Sequence, residues 1–142
     1  MKTQNFKNHA RFVPMYHFVL LTAVLALLIG SVVNFCHSAP DNKYSASLLI
    51  LVSVVVLFTA LFSRAFALKA QDRAINAEEN FRYYVLTGKT MDARITIPQK
   101  IALRFAPDEE FVDLAHRAAN ENLSPKEIKK SIKNWKGDYY RA

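Results

Sequence analysis

The densest group of side chains able to do chemistry is acidic: Asp108, Glu109, Glu110 and Asp113, with His116 three residues further on. Carboxylates gathered in this way can hold a divalent cation or divide the work of general acid and general base. Their spacing points elsewhere, because acids opening an amphipathic stretch sit where a helix dipole favours negative charge, and no second His or acid follows at a coordinating interval. They read as the first turn of a helix. His9, His17 and His37 are scattered through segments of different character and form no ligand set. Thr87, Gly88, Lys89 and Thr90 echo the end of a phosphate-binding loop, but the upstream glycine and the strand before it are missing. Cys36 is the only cysteine, so no internal disulfide forms and no ligand-spaced thiol is available for zinc. The reading is of a protein that is not an enzyme and carries no cofactor or metal.

Binding is the stronger chemical theme. Lys126, Lys129, Lys130, Lys133 and Lys136 lie on one stretch with Trp135, Tyr139, Tyr140 and Arg141 near its end. Such a face suits anionic lipid headgroups, an acidic partner protein or nucleic acid, although a solvated face of an ordinary helix has the same composition. A formal charge of +7 favours anionic partners in general. The first of these is the lipid surface on the cytoplasmic side of a membrane, and nucleic acid ranks well behind it.

The element that must position these residues is a single long helix, starting near Tyr44 and running to about Leu86. From Ser45 to Phe66 the chain is apolar apart from small hydroxyls and Arg64, which is enough to cross a bilayer core of roughly 30 Å. From Ala67 to Leu86 there is no Gly or Pro, and Ala, Glu, Gln and Arg dominate, so nothing tells the helix to stop. Ala46, Ser53, Ala60, Ala67 and Ala74 recur every seven residues, and Ser63, Ala70 and Ala77 fall at the complementary heptad position. Small residues in such a seam let helices approach closely. Past the membrane Phe81 and Tyr84 take over the register with larger side chains. The seam faces either the chain's own first spanning helix or a second polypeptide.

That first span runs from Met15 to Phe35, entered through Pro14 at the first turn. Its apolar core is longer than that of a signal peptide and the nearest cleavage-like site, around Ala39, is followed by Pro40, so it reads as a retained helix. Ala23, Ala26 and Gly30 give it a small seam of its own, suited to receive the second helix. The link from Asn34 to Lys43 carries turn chemistry at Pro40, Asp41 and Asn42 and is short enough to force an antiparallel hairpin. Lys2, Lys7 and Arg11 precede the first span, the loop offers Lys43 against Asp41, and Arg64, Lys69 and Arg73 follow the second. The positive-inside rule then places both termini in the cytoplasm.

The expected organisation is all-α: residues 1–14 a basic cytoplasmic or interfacial tail, 15–66 a transmembrane hairpin (15–35 and 45–66, with an extracytoplasmic loop at 36–44), and 67–142 a cytoplasmic helical domain. In that domain the long helix ends near Gly88 and three short helices follow. Thr96 caps one from Ile97 to about Phe105, with Pro98 in its first turn. Asp108 opens the next, whose apolar face is Phe111, Leu114, Ala115 and Ala118. Ser124, Pro125 and Glu127 form a capping box for the last, with Ile128, Ile132, Trp135 and Tyr139 following at helical spacing.

Four stretches carry a resemblance: QNFKNHARFVPMYHF from Gln4 to Phe18, LTGK from Leu86 to Lys89, ALRFAPDEEFVDLA from Ala102 to Ala115, and SPKEIKKSIKNW from Ser124 to Trp135. They resemble an uncharacterised family of small bacterial double-spanning membrane proteins. The resemblance implies a multi-pass protein of the bacterial inner membrane and carries no functional residues. The expected function is a membrane scaffold or accessory subunit whose cytoplasmic domain engages a protein partner or a second copy. The alternative is a membrane-tethered module binding anionic lipid or nucleic acid through the lysine-rich helix.

Overall fold

Two uninterrupted apolar stretches shape the first half of the chain. A computed structural model, describing residues 4–9 and 12–139, resolves them as α1 (Met15–His37), whose first six residues are wound as a π-helix, and α2 (Lys43–Thr87). Both helices are long and apolar enough to cross a membrane. A single 3-10 turn, Pro40–Asn42, separates them. The described residues fall into two compact units, one between 11 and 67 and the other from 68 onward joined by residues 4–9.

In the first unit α1 and the start of α2 form an antiparallel hairpin. The Tyr16 hydroxyl donates to the Ala60 carbonyl at 3.0 Å, the Ser31 and Ser53 hydroxyls meet at 3.2 Å, and the Lys43 ammonium donates to the Phe35 carbonyl at 2.7 Å. Each serine also donates to, or lies against, a carbonyl of its own preceding turn, so the buried pair leaves no hydroxyl unmatched. The inward face of α1 is Leu21, Val24, Leu28, Ser31 and Phe35, and not the small seam of Ala23, Ala26 and Gly30. Those three are exposed, and a Cβ added at Gly30 would meet open space. Both sets recur at three- and four-residue steps, and the one turned to α2 is the one from which Ser31 reaches Ser53.

The second unit is built from the remainder of α2 and from α3 (Ile97–Leu103), α4 (Asp108–Asn120) and α5 (Pro125–Ser131). Gly88, at φ +70°, stops α2, and its N–H returns to the Tyr84 carbonyl at 2.8 Å. The Gln99 side-chain oxygen accepts from both the N–H and the hydroxyl of Thr96, which fixes the start of α3. Ser124 and Glu127 close the capping box of α5, with the Ser124 N–H donating to the Glu127 carboxylate at 2.8 Å. Phe105 and Phe111 are fully enclosed, among Leu103, Leu114, Ala115, Ala118 and Ile128. All four residues predicted for the apolar face of α4 are buried.

Two segments of the second unit also differ from expectation. Helix α5 ends at Ser131 and does not continue to Tyr139. The Glu110 carboxylate accepts the N–H groups of Lys133 and Asn134, both at 2.9 Å, and the Asn134 side-chain amide at 3.0 Å. Those are amides that a continuing helix would have returned to its own preceding turn. The Lys136 N–H then bonds the Phe105 carbonyl at 2.8 Å, and the indole of Trp135 lies against the Phe105 ring, 5.0 Å between centroids. The second difference is the N-terminal segment, whose residues 4–9 pack within this unit. The Gln4 side chain makes a two-point clasp with the Asp138 backbone, donating to its carbonyl at 3.1 Å and accepting from its N–H at 2.9 Å. The His9 ring rests against Phe105 and Trp135. Lys2 and Arg11 of the charge pattern, and Tyr140 and Arg141 at the end of the lysine-rich stretch, lie outside the described residues.

Desolvation pushes the Glu110 carboxyl up, but the three N–H donors together outweigh it and hold it below its ordinary value of 4.5. A carboxyl depressed by folding stabilises the fold above its unfolded value, and that contribution is lost as pH falls through the lower folded value. Glu110→Ala is therefore expected to lower stability at neutral pH by about 1 to 2 kcal/mol. In a urea titration monitored by Trp135 fluorescence it should also remove part of the acid sensitivity below pH 4.5. An unchanged profile would mean that Glu110 does not hold the segment after α5.

Candidate interaction surface

Within the second unit α2 has two opposite faces. Ile75, Glu79 and Tyr83, four residues apart, are buried, and Tyr83 joins the core formed with the short helices. On the other side Ala70, Ala74, Ala77, Phe81 and Tyr84 are all exposed, with Phe81 69% and Tyr84 55% accessible. Val85, beside them, is 64% accessible. Next to this face a shallow open depression is lined by Asn80, Phe81, Tyr84, Thr90, Met91 and Lys100. Its polar side is held in place by the Lys100 ammonium, which donates to Asn76 at 3.0 Å and Asn80 at 2.8 Å. Burial alone pushes the Lys100 ammonium below its ordinary value.

The predicted seam is thus divided between two situations. Ala46 and Ser53 are buried and Ala60 half-buried, all facing α1. Ser63, Ala67, Ala70, Ala74 and Ala77 are exposed. The lysines are also dispersed. Lys126, Lys129 and Lys130 lie on α5, whereas Lys133 and Lys136 sit on the irregular segment beyond it. Lys129 is half-buried, with its ammonium 3.1 Å from His9 Nε2 and over the Phe105 ring, while Lys130 stands over the Phe6 ring. Lys126, Lys130, Lys133 and Lys136 are exposed.

Two acids of the cluster, Asp108 and Glu110, and His116 beside it are engaged structurally. Asp108 meets Arg82 at 2.6 Å, Glu110 holds the segment after α5, and His116 Nε2 lies 3.2 Å from the Tyr83 hydroxyl. Among the described residues no three His, Cys, Asp or Glu side chains gather where they could share a metal ion.

Sequence reasoning missed the polar joint beneath the exposed face. Arg82 reaches Glu79 at 3.1 Å, donates to the Ala106 carbonyl at 2.8 Å and to Asp108, and lies 4.2 Å above the Phe111 ring. Glu79 is only 8% exposed. Burial pushes its carboxyl up, and the opposing pull of Arg82 does not fully cancel this, so its affinity for a proton stays above the ordinary value. The available signal was the four-residue step from Ile75 to Glu79 to Tyr83, which puts an acid in the middle of an inward stripe.

Removing Arg82 leaves Glu79 buried without its counter-charge. Arg82→Met is expected to cost about 2 to 3 kcal/mol, less than for a fully enclosed pair because Asp108 stands half in water. Adding Glu79→Leu should recover most of the loss in thermal denaturation. Additive losses in the double variant would show that the two side chains are not coupled.

The chain matches, over residues 1–142, the profile of a family described as a family of unknown function, DUF6526. No curated protein and no solved structure matches it. From end to end, then, the chain belongs to the DUF6526 family of unknown function.

Proposed function

We propose that the protein is a non-enzymatic scaffold or accessory subunit of the bacterial inner membrane, anchored by its helical hairpin with both termini in the cytoplasm. Its second unit would engage a protein partner through the outward face of α2. The observation that carries this reading is the exposure of Phe81, Tyr84 and Val85 on a helix whose opposite side is well packed. Large apolar side chains left together in water favour a contact surface, and aromatic anchors dominate such contacts. The hairpin supports the membrane part: the large exposed side chains of α1 and the first half of α2 are mostly those of Leu, Val, Ile and Phe, which lipid accepts and water does not. The lysine reading has less support, since Lys129 and Lys130 are turned onto the chain's own N-terminal segment.

Two measurements on the full chain in its native membranes test this. Cys36, which is exposed, should react with a membrane-impermeant maleimide in intact cells. A cysteine replacing Lys133 in a Cys36→Ser background should react only after lysis. The opposite pattern would overturn the orientation. A photo-crosslinking residue replacing Tyr84 should give a discrete protein adduct, whereas adducts to lipid alone would overturn the scaffold reading.

A further inference from the structure

The outward face of α2 carries more than apolar side chains. Phe81 and Tyr84 continue the three- and four-residue alternation of Ala70, Ala74 and Ala77, which is the seam of a two-stranded coiled coil with Ala70, Ala77 and Tyr84 at one core position and Ala74 and Phe81 at the other. All five are exposed. The positions flanking such a seam decide partner and orientation. Here the charged residues on the flanks are Arg73 on one side and Glu78 on the other, five residues apart, while Gln71, Val85, Asn80 and Thr87 complete the flanks without charge. In a parallel pair of helices the flank residue of one strand meets the opposite flank residue five positions later on the other strand. Arg73 and Glu78 meet that condition. They are opposite in sign and exposed, and among the described residues neither forms an ion pair within the chain.

We infer that the partner on this face is a second copy of the same chain, its α2 parallel to the first, with Arg73 of each copy against Glu78 of the other and Phe81 and Tyr84 closing the seam. The inference rests on the scaffold reading above. Two copies inserted in a membrane in the same sense present their α2 helices in parallel, the arrangement in which these charges are complementary. A two-fold axis repeats the ion pair on both sides. Alanines at the upper core positions allow close helix approach, near the short end of the roughly 8–10 Å range. The aromatic pair then supplies most of the apolar area lost from water.

The test uses the full chain in native membranes, in a Cys36→Ser background with one cysteine introduced. Ala77→Cys should give a cross-linked dimer with a short bis-maleimide, and Lys69→Cys, exposed but off the seam, should give little. Arg73→Glu or Glu78→Arg alone places like charges across the interface and should lower the Ala77→Cys dimer about fivefold, while the two together should restore it. Equal cross-linking at both cysteine positions, or a double reversal no better than the singles, would overturn the second copy as partner. A Tyr84 photo-adduct to a different polypeptide without self-cross-linking also overturns it and leaves the scaffold reading standing. No adduct and no self-cross-link overturns both.

Discussion

The guanidinium of Arg82 is the contact on which the second unit depends. It projects from α2 and binds, at once, an acid on its own helix, the carbonyl of Ala106 between α3 and α4, the first residue of α4 and the face of Phe111. Helices of seven, thirteen and seven residues cannot hold themselves together in water. They become stable by burying their apolar stripes, and a planar, permanently charged group with several donors is suited to tie that bundle to a neighbouring helix. Glu79 counterbalances the charge where it is least hydrated, and the raised proton affinity of its carboxyl is the cost of placing it there.

Once Arg82 and Tyr83 have committed one side of α2 to the short helices, with Ile75 and Glu79 buried on that same side, the opposite side is left outside by geometry alone. A helix with one packed side would ordinarily carry polar residues on the other. This one carries Ala70, Ala74, Ala77, Phe81, Tyr84 and Val85. Small residues followed by aromatic ones are poor solvating choices and good packing ones.

How much of this could be read from the chain depended on whether the signal was local. The hairpin turn, the uninterrupted α2, its stop at Gly88, the box at Ser124 and Glu127 and the four buried residues of α4 are all decided within a few residues of themselves. The misreadings came from longer reach. The end of α5 is set by Glu110, more than twenty residues earlier, which captures amides that local propensity assigned to a helix. The small residues of α1 point to an inward face, but in this hairpin Val24 and Ser31 meet α2 while Gly30 looks outward. The docking of Gln4 on Asp138 spans 134 residues and has no local signature at all. In the candidate surface, the residues of the seam could be listed from the sequence. Which half was exposed could not, because that follows from where Glu79 and Arg82 point.

The N-terminal segment bears on which of two surfaces is free to act. Phe6 and His9 lie against the α5 lysines and the Phe105 and Trp135 rings, so part of the positive charge faces this chain instead of a ligand. The His9 ring bridges Phe6 and Lys129, with its Nδ1 2.8 Å from the Phe6 carbonyl and its Nε2 3.1 Å from the Lys129 ammonium. The lysines that remain exposed are distributed over α5 and the irregular segment after it, and a field spread in that way is screened within a Debye length of roughly 8 Å. The α2 face has the opposite character. It lies on one regular helix, its apolar residues are in register, and its flanking charges are complementary to each other. Regularity of that kind contributes little to solvation but matters for a helix that packs against another, which favours α2 over the lysines as the contact surface.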